Sequence, residues 1–254
     1  MKKIDLKTCD FDEMTLRDWK EVIKSGQSLN IQNENGDTPL YYGATPLYYA
    51  CSKNNVSLVK LFLEADADVN LKSKYGNTPL HATLKNSIIK ILIKAGANVN
   101  GKDINGCTPL CHQIKSKNTK LLIELGANVN ARDNLEKTPL HYANERKEFE
   151  VLLKNGADVN AQDKNGYTPL HKEIEVDNIR VLLENGADIH LKNEHGQEPL
   201  HCILINLNDN PEMQEVKDLF FVFQALLDKD DLNQSIPLAK HPHSQSQKIK
   251  PLRL

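Results

Sequence analysis

One tripeptide returns along this chain at an almost constant interval, and it constrains the fold more than any other feature. Thr-Pro-Leu begins at residues 45, 78, 108, 138 and 168, and Glu-Pro-Leu continues the series at 198. The first interval is 33 residues and the next four are 30. A period of roughly 20–50 residues is typical of repeat proteins, in which each unit buries its apolar side against its neighbours. The spacing therefore predicts stacked units rather than one globular core.

The first half of each unit predicts a short helix, as the second Thr-Pro-Leu illustrates. Thr78 is a favourable N-cap, and Pro79 stands at the first helical position, where the missing backbone N–H costs nothing. We expect this helix to carry Leu80 and Leu84 on one face.

The second half of the unit predicts a further helix and a loop. Ile89, Leu92 and Ile93 form an apolar stripe with the i, i+3, i+4 spacing of one helix face. Gly96 follows as the left-handed residue that ends the helix. The turn-forming sequence Asp-Ile-Asn-Gly at 103–106 then leads to the next Thr-Pro-Leu. Each unit is therefore predicted to be a helix, a turn, a second helix and a projecting loop, called here the finger.

Three motifs of these units resemble the ankyrin repeat. They are Thr-Pro-Leu-His at 78–81, Gly-Ala-Asp-Val-Asn at 156–160 and the Asp-x-x-Gly-x pattern at 163–167. The resemblance spans about 38–228 and implies an all-α ankyrin-repeat solenoid. Ankyrin units are about 33 residues long, whereas four units here have 30, as in ankyrin proteins of intracellular bacteria. We expect the first helix or the inter-helix turn to be shortened.

The ends of the series depart from the repeat and are expected to be helical caps. Residues 15–25 match a second helix without a first, with Trp19, Val22 and Ile23 facing inward. The last unit carries a longer apolar helix at about 212–228. The predicted boundaries are 1–37 for an N-terminal half-unit or cap, 38–77 for repeat 1, 78–107, 108–137, 138–167 and 168–197 for repeats 2 to 5, 198–228 for repeat 6 or the C-terminal cap, and 229–254 for a disordered tail.

A seven-residue duplication complicates repeat 1. Thr-Pro-Leu-Tyr-Tyr occurs at 38–42 and again at 45–49. One continuous helix through both copies would place Pro46 in its interior, at a cost of about 3 kcal/mol. We therefore expect the first full helix to start at Thr45 and residues 38–44 to form a bulged connection.

Composition and charge exclude several other classes of protein. The net charge is −2 and the pI about 6.5, whereas a nucleic-acid-binding domain usually has a pI above about 9. No apolar stretch approaches the ~18–20 residues that span a bilayer. We expect neither a nucleic-acid partner nor membrane insertion. Five scattered cysteines fit a reducing compartment, so we expect a cytoplasmic protein, with export to a host cell without a cleaved signal peptide as the alternative. Because a solenoid needs no partner to fold, we expect a monomer.

Cys107, Cys111 and His112 are residue types that bind metals or act as nucleophiles. Cys111 occupies a position that is histidine in four other units: His81, His141, His171 and His201. Neighbouring helices pack about 8–10 Å apart, whereas zinc donors lie about 2.0–2.3 Å from one ion. We therefore expect the histidines to tie each helix start to its finger. We predict no metal site, no cofactor and no catalytic residue.

The candidate binding residues lie in the fingers, because in ankyrin-like stacks the finger tips and first helices commonly form a concave binding surface. Carried over position by position, the resemblance implies these protein-binding residues: Lys74, Tyr75, Asn77, Ile104, Asn105, Cys107, Asn134, Leu135, Lys137, Lys164, Asn165, Tyr167, Glu194, His195 and Gln197. Tyr75, Ile104, Leu135 and Tyr167 are apolar or aromatic at positions expected to be exposed, which favours an interface. The alternative is that each packs on its neighbouring finger and binds nothing.

Two non-glycine residues stand at positions where the other units have glycine. Glu136 replaces the finger glycine found at 76, 106, 166 and 196. If that position needs a positive φ, Glu136 is strained, so we expect a different turn in this finger. Asp66 replaces the glycine that ends the second helix, and Asp tolerates the left-handed region.

The resemblance implies a non-catalytic module that binds a protein partner through its concave surface. The alternative is a regulator or adaptor that inhibits or recruits an enzyme. Counts of 27 Lys and 26 Asn resemble products of AT-rich genomes, and ankyrin proteins are common in bacteria that live inside eukaryotic cells. A host-directed effector therefore belongs to this alternative.

Overall fold

The computed structural model describes residues 6, 11–30, 45–113, 118–173 and 175–208, without the side chains of 204 and 206–208. These residues all belong to the first of two compact units, Met1–Met213, and the second unit is Gln214–Leu254. The predicted bulge at 38–44, the helix at about 212–228 and the tail at 229–254 lie outside the described residues.

The described residues form helices and loops with no strand, and the predicted all-α solenoid is confirmed. The helices are α1 (Leu16–Lys24), α2 (Pro46–Ser52), α3 (Val56–Glu64), α4 (Pro79–Ala82), α5 (Asn86–Lys94), α6 (Pro109–Gln113), α7 (Thr119–Glu124), the 3-10 helix η1 (Pro139–Tyr142), α8 (Arg146–Lys154), α9 (Pro169–Lys172), α10 (Val176–Glu184) and α11 (Pro199–Asn208). None of these helices is long and apolar enough to cross a membrane.

The Thr-Pro sequences start the first helix of each unit. Thr45 caps α2 as predicted, since its hydroxyl accepts a hydrogen bond from the backbone N–H of Tyr48 at 3.1 Å. Helix α2 has 7 residues whereas α4 has 4, so the shorter units lose their residues from the first helix. Leu84 consequently lies beyond the end of α4 and is 58% exposed. The prediction that Leu84 shares a helix face with Leu80 is therefore wrong.

The second helices bury the predicted apolar stripe. In α5, Ile89 and Leu92 are buried and Ile93, the third member, is half-buried. The same division holds for Trp19, Val22 and Ile23 of α1. Each unit thus hides the first two members of its stripe against its neighbours, which is how a repeat protein gains stability from nearest-neighbour contacts.

A buried position directly before this stripe changes from apolar to polar along the chain. Its occupants are Leu58, Ile88, Asn118, Glu148 and Asn178. The Glu148 carboxylate accepts backbone hydrogen bonds from Asn144 and Glu145 at 2.8 and 3.0 Å. Asn178 donates to the Asn144 carbonyl at 2.9 Å. These side chains satisfy backbone groups of the inter-helix turns, which would otherwise be unpaired.

An asparagine after each second helix joins one unit to the next. Asn130 accepts a hydrogen bond from the Asp158 N–H at 2.8 Å and donates to the Gly156 carbonyl at 2.9 Å. The same two bonds are made by Asn70, Asn100 and Asn160. At the next equivalent position stands His190, whose backbone N–H bonds to Asp188 within its own turn.

The N-terminal helix α1 meets the first repeat through aromatic side chains. Trp19 packs edge-to-face against Phe11 and Phe62, with ring centroids 5.0 and 4.8 Å away. Phe11 also packs against Tyr49 at 5.6 Å. Edge-to-face pairs add about 0.5–1.5 kcal/mol each to the stability that area burial gives. This cluster covers the apolar face of α3 that the first repeat would otherwise leave open.

Candidate protein-binding surface

Each finger is a loop closed by its own backbone and by one polar side chain, which is Asp in the three middle fingers, Ser73 in the first and Asn193 in the last. In the fourth repeat, the Asp163 N–H donates to the Tyr167 carbonyl at 2.9 Å, and the Gly166 N–H donates to the Asp163 carbonyl at 2.8 Å. The Asp163 carboxylate Oδ1 accepts the N–H groups of Asn165 and Tyr167, both at 3.0 Å. The loop is therefore fixed without any contact from a partner.

Neighbouring fingers are joined by a backbone hydrogen bond. The Ile104 N–H donates to the Tyr75 carbonyl at 3.0 Å, and the Lys164 N–H donates to the Leu135 carbonyl at 2.8 Å. Equivalent bonds join Asn134 to Asn105 and Glu194 to Asn165. The fingers therefore form one continuous row, and the finger residues named from the sequence all lie along it.

The predicted binding residues divide into tips and bases. The exposed tips are Lys74, Tyr75, Ile104, Asn105, Asn134, Leu135, Lys164, Asn165, Glu194 and His195. The half-buried bases are Asn77, Cys107, Lys137, Tyr167 and Gln197. A partner that touches the row without moving it would therefore meet the tips first.

Three of the four predicted anchors are exposed, and one is not. Tyr75, Ile104 and Leu135 are 40%, 57% and 53% exposed, as expected from the sequence. The expectation is wrong for Tyr167, which is half-buried. Its ring lies 5.6 Å from the His171 ring, and the Lys172 ammonium lies 5.5 Å from its centroid. Tyr167 therefore has packing partners within the protein.

A small groove lies between the fingers of the third and fourth repeats. Its volume is about 140 Å³, and it is lined by Leu135, Lys137, Asp163, Lys164, Asn165, Tyr167 and Lys172. Three of the lining residues are lysines, and Asp163 is the one acid among them. Since Asp163 is bonded to Lys172 at 3.0 Å, the groove carries an excess of positive charge beside the apolar Leu135.

A larger cavity lies between the first helices η1 and α9. Its volume is about 460 Å³, and Leu140, Phe149, Lys172 and Glu173 are among the residues that line it. The short first helices and their extended turns border it, so we attribute this space to the shortened units.

The finger acids also reach the first helices, which the sequence analysis missed. The second oxygen, Oδ2, of Asp163 bonds to Lys172, nine residues later, and Oδ2 of Asp133 bonds to the Tyr142 hydroxyl. Burial alone would raise the pKa of Asp163, but the hydrogen bonds from Lys172 and from the backbone hold it below its usual range. The sequence does contain a pattern that could have predicted this contact. An acid stands three residues before the finger glycine, or before Glu136 at the same position, and a polar residue follows the acid by nine positions.

Three of the four predicted histidines, His81, His141 and His171, tie the start of a first helix to a finger as predicted, and the fourth, His201, is exposed. His171 Nδ1 accepts the Thr168 N–H at 3.1 Å, so Nε2 carries the proton and donates to the Gln197 carbonyl at 3.1 Å. His81 and His141 make the same bonds to their own threonine and to the carbonyls of Cys107 and Tyr167. Burial lowers the pKa of all three, that of His81 to about 4.

Glu136 adopts the backbone conformation that the other fingers reserve for glycine. Its φ is +60°, close to the +75° of Gly76 and the +78° of Gly106. The Glu136 N–H donates to the Asp133 carbonyl at 3.0 Å, which is the same turn bond that the glycines make. The expectation of a different turn is therefore wrong, because the turn is kept and Glu136 holds a strained left-handed backbone conformation. Asp66, at φ +57°, is left-handed as expected.

Three cysteines of the repeats, Cys51, Cys107 and Cys111, are poorly placed to act as nucleophiles. Burial raises the pKa of Cys51 to about 12 and also raises that of Cys111. Burial, with neighbouring Cys111 and carboxylates, raises the pKa of Cys107 to about 11. Because the thiolate is the reactive form, these thiols are protonated and weakly reactive near neutral pH. The arrangement favours recognition over covalent chemistry.

Family comparisons agree with the repeat. A model of ankyrin repeats in three copies matches residues 19–103 and 82–163, more than half of the chain, and a model of ankyrin repeats in many copies matches 152–202. Two ankyrin repeat proteins of fowlpox virus (strain NVSL), FPV233 and FPV230, are 36% identical over 63 residues and 34% identical over 71. These matches cover 24% and 28% of this chain, and the chain spans 11% and 34% of those relatives.

A solved structure shares the fold. The crystal structure of the ankyrin repeat domain of Bcl-3, a member of the IkappaB protein family, matches with a TM-score of 0.61 and 27% identity. The match covers 73% of this chain and 86% of the Bcl-3 chain.

Proposed function

Because the chain belongs to the ankyrin repeat family, we propose that it is a non-catalytic module that binds a protein through the concave surface of its fingers and first helices. Ankyrin repeats generally mediate protein–protein interactions. The observation that carries the proposal is the exposure of Tyr75, Ile104 and Leu135 on the finger tips. Clustered apolar side chains on a soluble protein often mark an interaction site, and Tyr is enriched among residues that dominate binding energy.

The fixed fingers make these side chains efficient anchors. Ordering a loop on binding costs free energy, about 0.5–1.5 kcal/mol for each immobilised flexible side chain. Here the finger backbone is already held by the neighbouring finger and by its own polar side chain, which is Ser73, Asp103 or Asp133. A partner would meet a surface that is already ordered.

The groove between the third and fourth fingers indicates the chemistry of the bound segment. Lys137, Lys164 and Lys172 surround it, and Leu135 supplies an apolar wall. Complementary charge favours encounter and register. We therefore propose a partner segment in which an apolar side chain is flanked by acidic residues.

A pair of variants tests the surface. The site variant changes Tyr75, Ile104 and Leu135 to Ser. The control changes Leu16 and Leu84 to Ser, which are similarly exposed at 45% and 58% but lie outside the fingers and the first helices. After circular dichroism shows that both variants fold, affinity capture with mass spectrometry compares them with the unchanged chain.

We expect the site variant to lose the partner and the control to keep it. Tyr167 is left intact because its packing on His171 would mix a folding effect with a binding effect. Capture of the same partner by both variants would contradict the finger surface as the binding site, and loss only in the control would place the binding site outside the fingers.

A regulator or adaptor, including a host-directed effector, is the second candidate. The observation in its favour is that the matched relatives come from a virus, whose proteins act inside host cells. Such a protein would inhibit or recruit an enzyme rather than only hold it. Adding the chain to a captured enzyme partner and measuring turnover tests this. Unchanged turnover and unchanged localisation of that enzyme would exclude both forms of regulation.

A further inference from the structure

Three junctions between a finger and the following first helix are built to one plan. In each, one oxygen of the finger acid accepts backbone N–H groups of its own loop, and the other bonds to the side chain nine residues later. The pairs are Asp103 with His112, Asp133 with Tyr142 and Asp163 with Lys172. The shared geometry fixes where the side chain nine residues after the acid lies, whereas the type of that residue differs among the three junctions.

The first of these junctions gathers three donor atoms that metals use. Asp103 Oδ2 lies 2.9 Å from His112 Nε2. The two atoms and Cys107 Sγ all lie within 4.8 Å of one another. Cys107 is held in place because its backbone N–H donates to Asp103 Oδ1 at 2.9 Å. Asp133 Oδ2 lies 3.9 Å from the same sulfur.

The equivalent positions in the next two junctions lack these donors. Where the first has Cys107, the others have Lys137 and Tyr167, and where it has His112, they have Tyr142 and Lys172. Thiolate, imidazole and carboxylate are the protein groups that zinc prefers, whereas Lys ammonium groups cannot coordinate an ion. The same backbone plan therefore carries a donor set in one junction and none of comparable type in its neighbours.

We propose that Asp103, Cys107 and His112 bind a divalent cation of the zinc class, with the fourth coordination position left to water or to a donor from a partner. Zinc lies about 2.0–2.3 Å from such ligands, so tetrahedral donors stand about 3.3–3.7 Å apart. Rotation of the exposed His112 side chain would lengthen the 2.9 Å separation of Asp103 Oδ2 and His112 Nε2, whose hydrogen bond the ion replaces, and would bring the imidazole to the spacing that the ion requires. Binding releases the Cys107 thiol proton to solvent, as deprotonated sulfur is the ligand. The His112 proton moves from Nε2, which donates to Asp103 in the free protein, to Nδ1, so that Nε2 can coordinate the ion.

This site differs from the one that the sequence analysis set aside. Cys111 is not a donor, because it is buried and Thr108 Oγ1 donates to its sulfur at 3.6 Å. Asp103 was not among the residues considered from the sequence. Its Oδ1 accepts backbone N–H groups of the finger turn, and these bonds orient Oδ2 toward the proposed metal position. Such outer bonds usually raise metal affinity by about 10–100-fold. The proposal does not depend on the protein partner.

Zinc titration of the full chain, stripped of metal by a chelator, tests the site with Zn²⁺ alone as the probe. His112→Tyr and Cys107→Ser each remove one donor. His112→Tyr copies the neighbouring junction, where Tyr142 bonds to Asp133, so the finger-to-helix contact can persist. Cys202→Ser is the matched control. Cys202 occupies the position in the last repeat that His112 occupies in its own, and changing it leaves Asp103, Cys107 and His112 intact.

We expect one Zn²⁺ per chain, with affinity reduced at least about tenfold by either site variant and unchanged by Cys202→Ser. Co²⁺ in place of Zn²⁺ should give a thiolate-to-cobalt absorption band that Cys107→Ser abolishes. Circular dichroism confirms the fold of each variant. The proposal is overturned if the chain retains no Zn²⁺, if both site variants bind as tightly as the unchanged protein, or if the band follows Cys202 instead.

Discussion

The helix side and the finger side of one repeat follow opposite rules. After the second helices, Asn70, Asn100, Asn130 and Asn160 make the same two bonds to the next unit. On the finger side, equivalent acids bond to three different side chains, those of His112, Tyr142 and Lys172. Bonds that recur unchanged are those the stack requires. At the finger junctions the backbone geometry is the same but the residue nine positions after the acid differs, so that residue can be chosen for function without disturbing the stack.

The largest expected effect comes from breaking the helix side. Phe149 is 1% exposed and is the first member of the apolar stripe of α8. Phe149→Ala should lower the free energy of unfolding by about 3–5 kcal/mol, because it removes buried area and leaves a cavity. Leu135→Ala, on a finger tip, should change it by no more than about 0.5 kcal/mol. Urea unfolding followed by circular dichroism measures both, and similar losses would refute the division.

The histidines join the two sides and predict how stability depends on pH. Burial lowers the pKa of His81 to about 4, whereas an unfolded histidine titrates near about 6.5. Between these values the unfolded chain binds a proton that the folded chain does not, so stability falls as pH drops from about 6.5 to about 4. His81 alone should contribute a loss of about 1–3 kcal/mol, measured by urea unfolding at about pH 7 and about pH 5.

A variant without this titrating group supplies the control. In His81→Gln the side chain carries no proton equilibrium, while the other histidines keep theirs. The loss of stability between the two pH values should therefore be smaller than in the unchanged protein. An identical loss would mean that His81 does not report the burial seen in the structure, and that other groups set the pH dependence.

The finger turn tests whether variation on this side has a cost. Glu136 holds φ +60°, so Glu136→Gly should stabilise the protein by about 1 kcal/mol by relieving strain. Gly106→Ala should do the opposite, since the added Cβ would lie 2.6 Å from Asn134 Oδ1 and 2.8 Å from the Asn134 nitrogen. Thermal unfolding compares the two variants. A destabilised Glu136→Gly would show that the glutamate side chain contributes to the finger.

Local rules made much of the helix side predictable from the sequence. Thr45 caps α2, and the i, i+3 positions such as Ile89 and Leu92 are buried, because capping and helix periodicity depend on residues a few positions apart. The tie from His171 to the following finger was also expected. The repeat supplies the rest, since each unit presents the same faces to its neighbours.

The finger side was harder to predict because its contacts depend on how close neighbouring elements approach. The bond from Asp103 to His112 joins a loop to a helix, and no local rule places those two side chains together. Tyr167 was expected to be exposed but meets His171 and Lys172. Glu136 was expected to change its turn, yet the bonds of the finger hold it. In each case the packing of neighbouring fingers and helices determines the contact or the backbone conformation, which the sequence of a single finger does not specify.

The smallest effect concerns the junction at Cys111, in which the histidine tie is replaced. Cys111 stands where other units have histidine, and Thr108 donates to its sulfur at 3.6 Å. A thiol is too short to reach the Lys137 carbonyl, which is equivalent to the Gln197 carbonyl bound by His171. Cys111→His should supply that hydrogen bond and stabilise the protein by about 0.5–1 kcal/mol, with Cys111→Ala as the control.

The equivalent His171 is fully accommodated at 1% exposure, so an imidazole fits this position where the stack is regular. Thermal unfolding of Cys111→His against Cys111→Ala separates the new bond from the loss of the thiol. A destabilised histidine variant would mean that the position around Cys111 is shaped for a smaller side chain. The junction between the second and third repeats, which carries Asp103, Cys107 and His112, would then differ from its neighbours in its helix packing as well as in its finger, and the contrast between a constant helix side and a variable finger side would fail there.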